Sequence, residues 1–187
     1  MDVPTVWAEC QVSPTRAQAI LRPGILKRLF LSFSDRAKAL KTEIIHLPFC
    51  LLRYELEGSE SQQGISILVD GYRRAARHMK EEELPLIHRP DGVEEFPYPL
   101  DRGETVKIAR SYLSSLRMAR TFSPGVTFDR EPKIKHVIQC PFCVVYRRAG
   151  GGSVTFDTVD GLTGKRGGTL ANQAFIAALH ENQPDRG

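Results

Sequence analysis

The chain of 187 residues has no long hydrophobic run. No window approaches the roughly 18 uncharged apolar residues of a membrane-spanning helix. The opening stretch MDVPTVW also lacks the basic start and apolar segment of a secretion signal. We therefore expect no membrane association and a cytoplasmic location, although a periplasmic protein whose signal has been removed would show the same pattern.

Cysteine and excess charge are also scarce. Four cysteines in a chain of this length fit free thiols better than a disulfide framework. The hydrophobic fraction of 41% and charged fraction of 26% are ordinary for a globular protein, which argues against disorder over most of the chain. The net charge of +4 permits contact with nucleic acid but does not require it.

What the sequence does contain is one stretch that occurs twice. Residues 47–54 read LPFCLLRY and are followed by ISILVDG at 65–71, whereas residues 140–146 read CPFCVVY and are followed by VTFDTVDG at 154–161. We interpret the two stretches as a tandem duplication with halves at 1–92 and 93–187. The proline-rich segment 81–99 lacks periodicity and is the predicted junction.

The periodicity of each half predicts helices and strands. Residues 43–56 and 133–148 are apolar at both odd and even positions, which predicts central strands buried on both faces. Helical spacing predicts helices after Ser13, over 25–40, from Tyr72 to Met79, after Asp101 and after Thr169. The predicted fold is α+β: an antiparallel sheet packed with helices, built from a duplicated helix-strand-hairpin-strand unit with a pseudo-two-fold axis.

The doubly apolar strands have a consequence for assembly. Helices must cover both faces of the sheet, or a second copy of the chain must cover one of them. We therefore expect a homodimer.

The tetrapeptide Cys140-Pro141-Phe142-Cys143 is the most chemically suggestive motif. It resembles the C-P-aromatic-C active site of glutaredoxins, which implies a redox thiol. That chemistry needs a helix beginning at the first cysteine, because the helix N-terminus lowers the thiol pKa. Here Val144 and Val145 continue a strand, and residues three apart in a strand point to opposite faces. Buried structural cysteines are the favoured interpretation.

A zinc site is the metal alternative. Its possible ligands are Cys140, Cys143 and His136 in the second half and Cys50 with His46 in the first. Zinc-binding cysteine pairs usually stand on a tight knuckle with polar flanks, and neither copy has one. We predict no metal and no cofactor.

Basic residues make nucleic acid an alternative partner. Those considered are Arg73, Arg74, Arg77, Lys107, Arg110, Arg117 and Arg120. Binding of nucleic acid would require several of these residues to share one face of the protein. The glutamates at 81–83 and 94–95 also reduce the positive potential around them. Nucleic-acid association is therefore possible but not favoured.

Catalysis is not predicted from this sequence. The only matched carboxylates, Asp70 and Asp160, end strands in Asp-Gly turns, where aspartate commonly hydrogen-bonds its own turn. We identify no catalytic residue.

The ending VDGLTGK, within 154–168, is similar to the final hairpin of PepSY-like domains, and residues 65–71 share it without the TGK. PepSY-like domains are small bacterial modules of a helix on antiparallel strands, and the resemblance implies a regulatory or binding role. We therefore expect a non-catalytic binding, regulatory or adaptor module with an unknown protein partner. Nucleic-acid association and a thiol or zinc protein based on the CPFC motif are the alternatives.

Overall fold

The structure is a computed structural model that describes residues 3–22, 39–56, 64–119, 121–122, 126–129, 131–148 and 152–181. Within these residues the fold is α+β, with seven strands and three α-helices. The strands are β1 (Thr5–Ala8), β2 (Ala39–Glu55), β3 (Gly64–Asp70), β4 (Ala75–His78), β5 (Leu86–Ile87), β6 (Lys133–Arg148) and β7 (Val154–Asp160). The helices are α1 (Pro14–Ile20), α2 (Arg102–Met118) and α3 (Thr169–Glu181).

The strands pair in the order β4-β3-β2-β6-β1-β5, and β7 also pairs with β6. Lys133 at the start of β6 bonds Glu55 at the end of β2 at 2.8 Å, whereas Tyr146 near the end of β6 contacts Glu43 near the start of β2. β2 and β6 therefore run antiparallel. The two long strands predicted from doubly apolar runs are confirmed.

The prediction of a wholly antiparallel sheet is wrong, because β1 runs parallel to β6. Thr5 pairs with Val137 and Trp7 with Gln139. A parallel pair needs a long connection rather than a tight turn, and more than a hundred residues separate these partners. The sheet is therefore mixed.

One predicted helix is a strand in the structure, and another lies outside the described residues. The helix predicted from Tyr72 to Met79 is wrong: residues 75–78 form strand β4, which pairs with β3 from Asp70↔Ala75 to Ile67↔His78. The tight turn before β4 uses Arg74 at a φ of 50° and an Asp70 carboxylate that accepts the Arg73 N–H. The helix predicted over 25–40 lies outside the described residues, except for Ala39 and Leu40, which begin β2.

The helix starts predicted at Ser13 and Asp101 are confirmed. The Ser13 hydroxyl accepts the Arg16 N–H at 3.2 Å, and the Asp101 carboxylate accepts the Glu104 N–H at 2.8 Å. Side-chain acceptors at this position satisfy backbone donors that the first helical turn leaves unpaired.

The chain divides into two compact units, each drawn from both halves of the sequence. Unit 1 comprises residues 1–8, 48–91 and 95–139, and unit 2 comprises residues 9–47, 92–94 and 140–187.

In unit 1, α2 packs on one face of the β2–β3 hairpin. Ala109 and Leu113 of the helix are buried against Leu52, Tyr54 and the facing side chains of β3.

In unit 2, α1 packs on one face of the β6–β7 hairpin. Ala17 and Leu21 meet Cys143, Val145 and Val159 there. Helix α3 covers the opposite face, where the rings of Phe175 and Phe156 lie 5.4 Å apart. Alternate strand residues face opposite sides of a sheet, so this hairpin is buried on both.

Candidate functional site

The CPFC cysteines lie inside strand β6, as the sequence predicted. Cys140 and Cys143 are 1% and 0% exposed, and the backbone around them is extended from Lys133 to Arg148. All four cysteines are free thiols. A glutaredoxin-type site, which needs a helix starting at the first cysteine, is therefore not formed by this motif.

Cys143 instead meets a cysteine that the sequence interpretation did not select. The sulfur atoms of Cys10 and Cys143 lie 3.7 Å apart. The Val12 carbonyl is a hydrogen-bond acceptor within reach of both, at 3.2 Å from Cys10 and 3.3 Å from Cys143. Nothing local could have indicated this pair, because 133 positions separate its members along the chain.

Backbone bonds at the end of β7 hold Cys10 in place. The Gln11 N–H donates to the Gly161 carbonyl at 2.9 Å, and the Gly161 N–H donates to the Pro141 carbonyl at 2.8 Å. A Cβ on Gly161 would lie 2.8 Å from the Cys10 sulfur and 2.7 Å from the Pro141 oxygen. Glycine is therefore required for this close approach.

The two thiols differ in acidity. The hydrogen bond from Cys143 lowers the pKa of Cys10 to about 7, and this outweighs partial burial and the nearby carboxylates of Asp160 and Glu9, which raise it. The pKa of Cys143 is raised by the same hydrogen bond and by burial. Cys10, which is half-buried, is thus the member of the pair suited to act as a thiolate.

The residues weighed for zinc do not assemble. In the described part of the chain, no group of three or more His, Cys, Asp or Glu side chains could hold a metal ion. Cys50 belongs to the core of unit 1 and Cys143 to that of unit 2. Burial raises the pKa of Cys50 to about 12, which opposes the thiolate that zinc binds. His136 lies half-buried in β6.

Asp70 and Asp160 both act in turns. An oxygen of Asp70 accepts the Arg73 N–H at 2.9 Å, and one of Asp160 accepts the N–H groups of Leu162 and Thr163 at 3.0 and 2.9 Å. Burial raises the pKa of Asp70, which is 2% exposed, although neighbouring arginines oppose the shift. The structural role inferred from the Asp-Gly sequence accounts for both residues.

A basic cleft lies beside α2. Its volume is about 510 Å³, and three exposed cations, Arg102, Lys107 and Arg110, line it together with one acid, Glu131. Val106, Pro132 and the serines at 111 and 114 complete most of the wall. A second cleft of about 430 Å³ shares Lys107 and Ser111, and there Arg74 bonds Glu104 at 3.1 Å. The exposed surface of α2 therefore has two concave regions.

Most of the arginines considered for nucleic acid have partners within the chain, and Arg110 is among them because it interacts with Tyr54. Arg73 lies 3.7 Å from the Asp70 carboxylate. Arg77 and Arg117 each stack 5.5 Å from the centre of a phenylalanine ring, Phe49 and Phe128 respectively. Arg120 is outside the described residues. Of the set, only Lys107 and Arg110 line the larger cleft.

Comparison with protein-family models, with curated proteins and with solved structures finds no match to this chain. Among the described residues, no helix has the length and hydrophobicity needed to cross a membrane.

Proposed function

We propose that the protein is a non-catalytic binding module, with a regulatory or adaptor role, that recognises a short acidic segment of a partner protein. The observation that carries this proposal is the cleft beside α2, where three exposed cations stand against one carboxylate. Such an excess of positive charge favours a carboxylate-rich ligand by electrostatic complementarity.

The wall of the cleft also fits a peptide. Val106 and Pro132 offer apolar contact, and Ser111 and Ser114 offer hydroxyl groups to a peptide backbone. Arginine pairs with a carboxylate through two parallel hydrogen bonds, which fixes orientation as well as affinity. The similarity of VDGLTGK to PepSY-like binding and regulatory domains points to the same class of role.

Nucleic acid is the second candidate partner, favoured only by the cations on α2. A duplex needs several phosphate contacts spread along a surface, and affinity grows with their number. Arg73, Arg77 and Arg117 are already engaged with Asp70 and with aromatic rings. Three cations that share one cleft suit a short acidic peptide better than a duplex, whose phosphates are spread along its length.

Fluorescence polarisation with a labelled oligoglutamate peptide tests the proposal at low salt. Lys107→Glu reverses a charge shared by both clefts and should weaken binding about tenfold, or about 1.4 kcal/mol. Glu131→Gln removes the opposing acid and should strengthen binding. Added salt should weaken binding, because exposed charges are screened.

The matched control is Lys165→Glu, which makes the same change of charge at an exposed position in unit 2. It should leave peptide affinity nearly unchanged. Equal weakening by both variants would show a non-specific charge effect and overturn the assignment of the cleft. Tighter binding of duplex DNA or RNA than of oligoglutamate would favour nucleic acid instead.

Two further features belong to this proposal. We infer a duplicated origin for the two hairpins, supported by their matching registers of Phe49↔Asp70 and Phe142↔Asp160. Homodimerisation stays a prediction, now supported by Leu86 and Ile87, which are 49% and 38% exposed on β5. Light scattering on the purified chain tests it, and a monomer at high concentration would contradict it.

A further inference from the structure

The thiol pair of unit 2 combines proximity with access. Cys143 is fully buried in β6, whereas Cys10 is half-buried and precedes α1. Their sulfur atoms lie 3.7 Å apart. Most free cysteines in protein cores are inert because they are protonated and shielded from solvent. Cys10 departs from that pattern in two ways. It is only half-buried, and the sulfur of Cys143 lies beside its own.

The geometry allows a covalent bond between the two sulfurs. A disulfide requires an S–S distance of about 2.05 Å, so the atoms must approach by roughly 1.7 Å. The bonds Gln11 N–H to Gly161 and Gly161 N–H to Pro141 keep the two backbone segments in register. Side-chain rotation can then supply much of the approach.

We propose that Cys10 and Cys143 form a reversible intramolecular disulfide by exchange with a low-molecular-weight disulfide of the glutathione class. The Cys10 thiolate attacks one sulfur of that disulfide, which forms a mixed disulfide and releases one thiolate. Cys143 then gives its proton to the released thiolate and attacks the Cys10 sulfur, which releases the second thiolate. The two cysteines lose two protons in total, and the two released thiolates take up two. Two protein thiols are therefore oxidised, and one low-molecular-weight disulfide is reduced.

The surroundings of the pair favour this order of attack. The hydrogen bond from Cys143 lowers the pKa of Cys10, which supplies the first nucleophile. Once Cys10 is in a mixed disulfide, its sulfur is already beside Cys143. Cys140, although only three residues from Cys143, cannot take this role in a regular strand because its side chain points to the opposite face.

The bond would join the segment before α1 to the centre of β6, and 133 positions separate the two cysteines. Cross-links that close long loops restrict the unfolded chain. We therefore expect the oxidised protein to unfold at a higher temperature than the reduced protein, and thiol reductant to reverse the difference. This inference does not rest on the proposed peptide cleft.

The test uses the full chain incubated with oxidised glutathione, then denatured and alkylated. Intact mass should show two of the four cysteines blocked from alkylation and a loss of two hydrogens. Peptide mapping should find one cross-linked species joining Cys10 to Cys143. This readout needs no variant, so it decides the proposal even if a substitution impairs folding.

Variants sharpen the assignment. Cys143→Ser should stop at the mixed disulfide on Cys10, and Cys10→Ser should abolish both products, whereas the matched control Cys140→Ser should keep the cross-link. A bond between Cys140 and Cys143, a bond between Cys10 and Cys140, or four free thiols after oxidation would each overturn the proposal.

Discussion

The hairpins β2–β3 and β6–β7 have matching strand registers, but different side chains lie near their buried cysteines. Cys50 pairs with Val69 in the first hairpin and Cys143 pairs with Val159 in the second, in each case next to the matching pair of a phenylalanine and an aspartate. Both cysteines are 0% exposed, and each belongs to the core between its hairpin and the helix that packs on it. The two hairpins differ in the residue that stands shortly before the helix that packs on each of them.

Each helix is preceded by a segment that lies against the end of its hairpin. Three residues before the cap Asp101 stands Tyr98, and a Cβ on Gly71 would lie 2.8 Å from its ring. Three residues before the cap Ser13 stands Cys10, and a Cβ on Gly161 would lie 2.8 Å from its sulfur. One position thus decides whether the strand cysteine has a phenol or a second thiol nearby.

The largest contrast we expect is in alkylation by iodoacetamide of the native protein. The pKa of Cys10 is lowered to about 7 and that of Cys50 is raised to about 12, so near neutral pH we expect far more thiolate at Cys10 than at Cys50. Cys10 should be labelled first, and its rate should rise as the pH increases through 7 and then level off. Peptide mapping of labelled protein at several pH values measures this.

Cys10→Ser is the control, because it should remove the fast phase and leave the slow one. A rate that keeps rising up to pH 9 would show an ordinary thiol and remove the contrast between the two units.

Truncation of matched core positions should give the next largest difference. Leu52 and Val145 are both 0% exposed and lie two residues beyond the strand cysteines. Leu52→Ala should lower the free energy of unfolding by about 2 to 5 kcal/mol, and Val145→Ala by about 2 kcal/mol. Helix α1 has 7 residues where α2 has 17, so the smaller helix can relax into the cavity more easily.

Urea unfolding followed by circular dichroism gives both values. A larger loss at Val145 than at Leu52 would mean that the short helix is held more firmly than the long one, which would contradict the contrast in packing.

The helix caps should give the smallest difference. Asp101→Ala should cost about 1 kcal/mol and Ser13→Ala about 0.5 kcal/mol. The Asp101 bond is shorter, at 2.8 Å against 3.2 Å, and its charge interacts favourably with the helix dipole. Chemical denaturation measures both, with Asp101→Asn as a control that keeps the cap and removes the charge. A larger cost at Ser13 would reverse the ranking.

Patterns within short stretches predicted much of the fold. The doubly apolar runs in β2 and β6 indicated buried strands, and the capping residues Ser13 and Asp101 indicated two helix starts, because these signals depend on neighbouring residues. The spacing of Ala75, Ala76 and Met79 predicts a helix where the structure has strand β4. The prediction is wrong because pairing with β3 determines the conformation of this segment.

The candidate sites were less accessible to such reasoning. The basic residues Lys107 and Arg110 on α2 were predicted as a helix face, but the cleft also needs Glu131 and Pro132 from the segment before β6. The meeting of Cys10 with Cys143 depends on tertiary packing alone, so neither spacing nor composition could indicate it.

The pairing of each hairpin with a helix from the other half of the chain affects the order of events during translation. Strands β2 and β3 leave the ribosome before α2 has been made, because Asp70 precedes Met118 by dozens of residues. At ordinary rates of synthesis this interval lasts a few seconds. During this interval α2 does not yet cover the apolar side chains of β2 and β3. The nascent chain therefore presents a surface suited to chaperone binding.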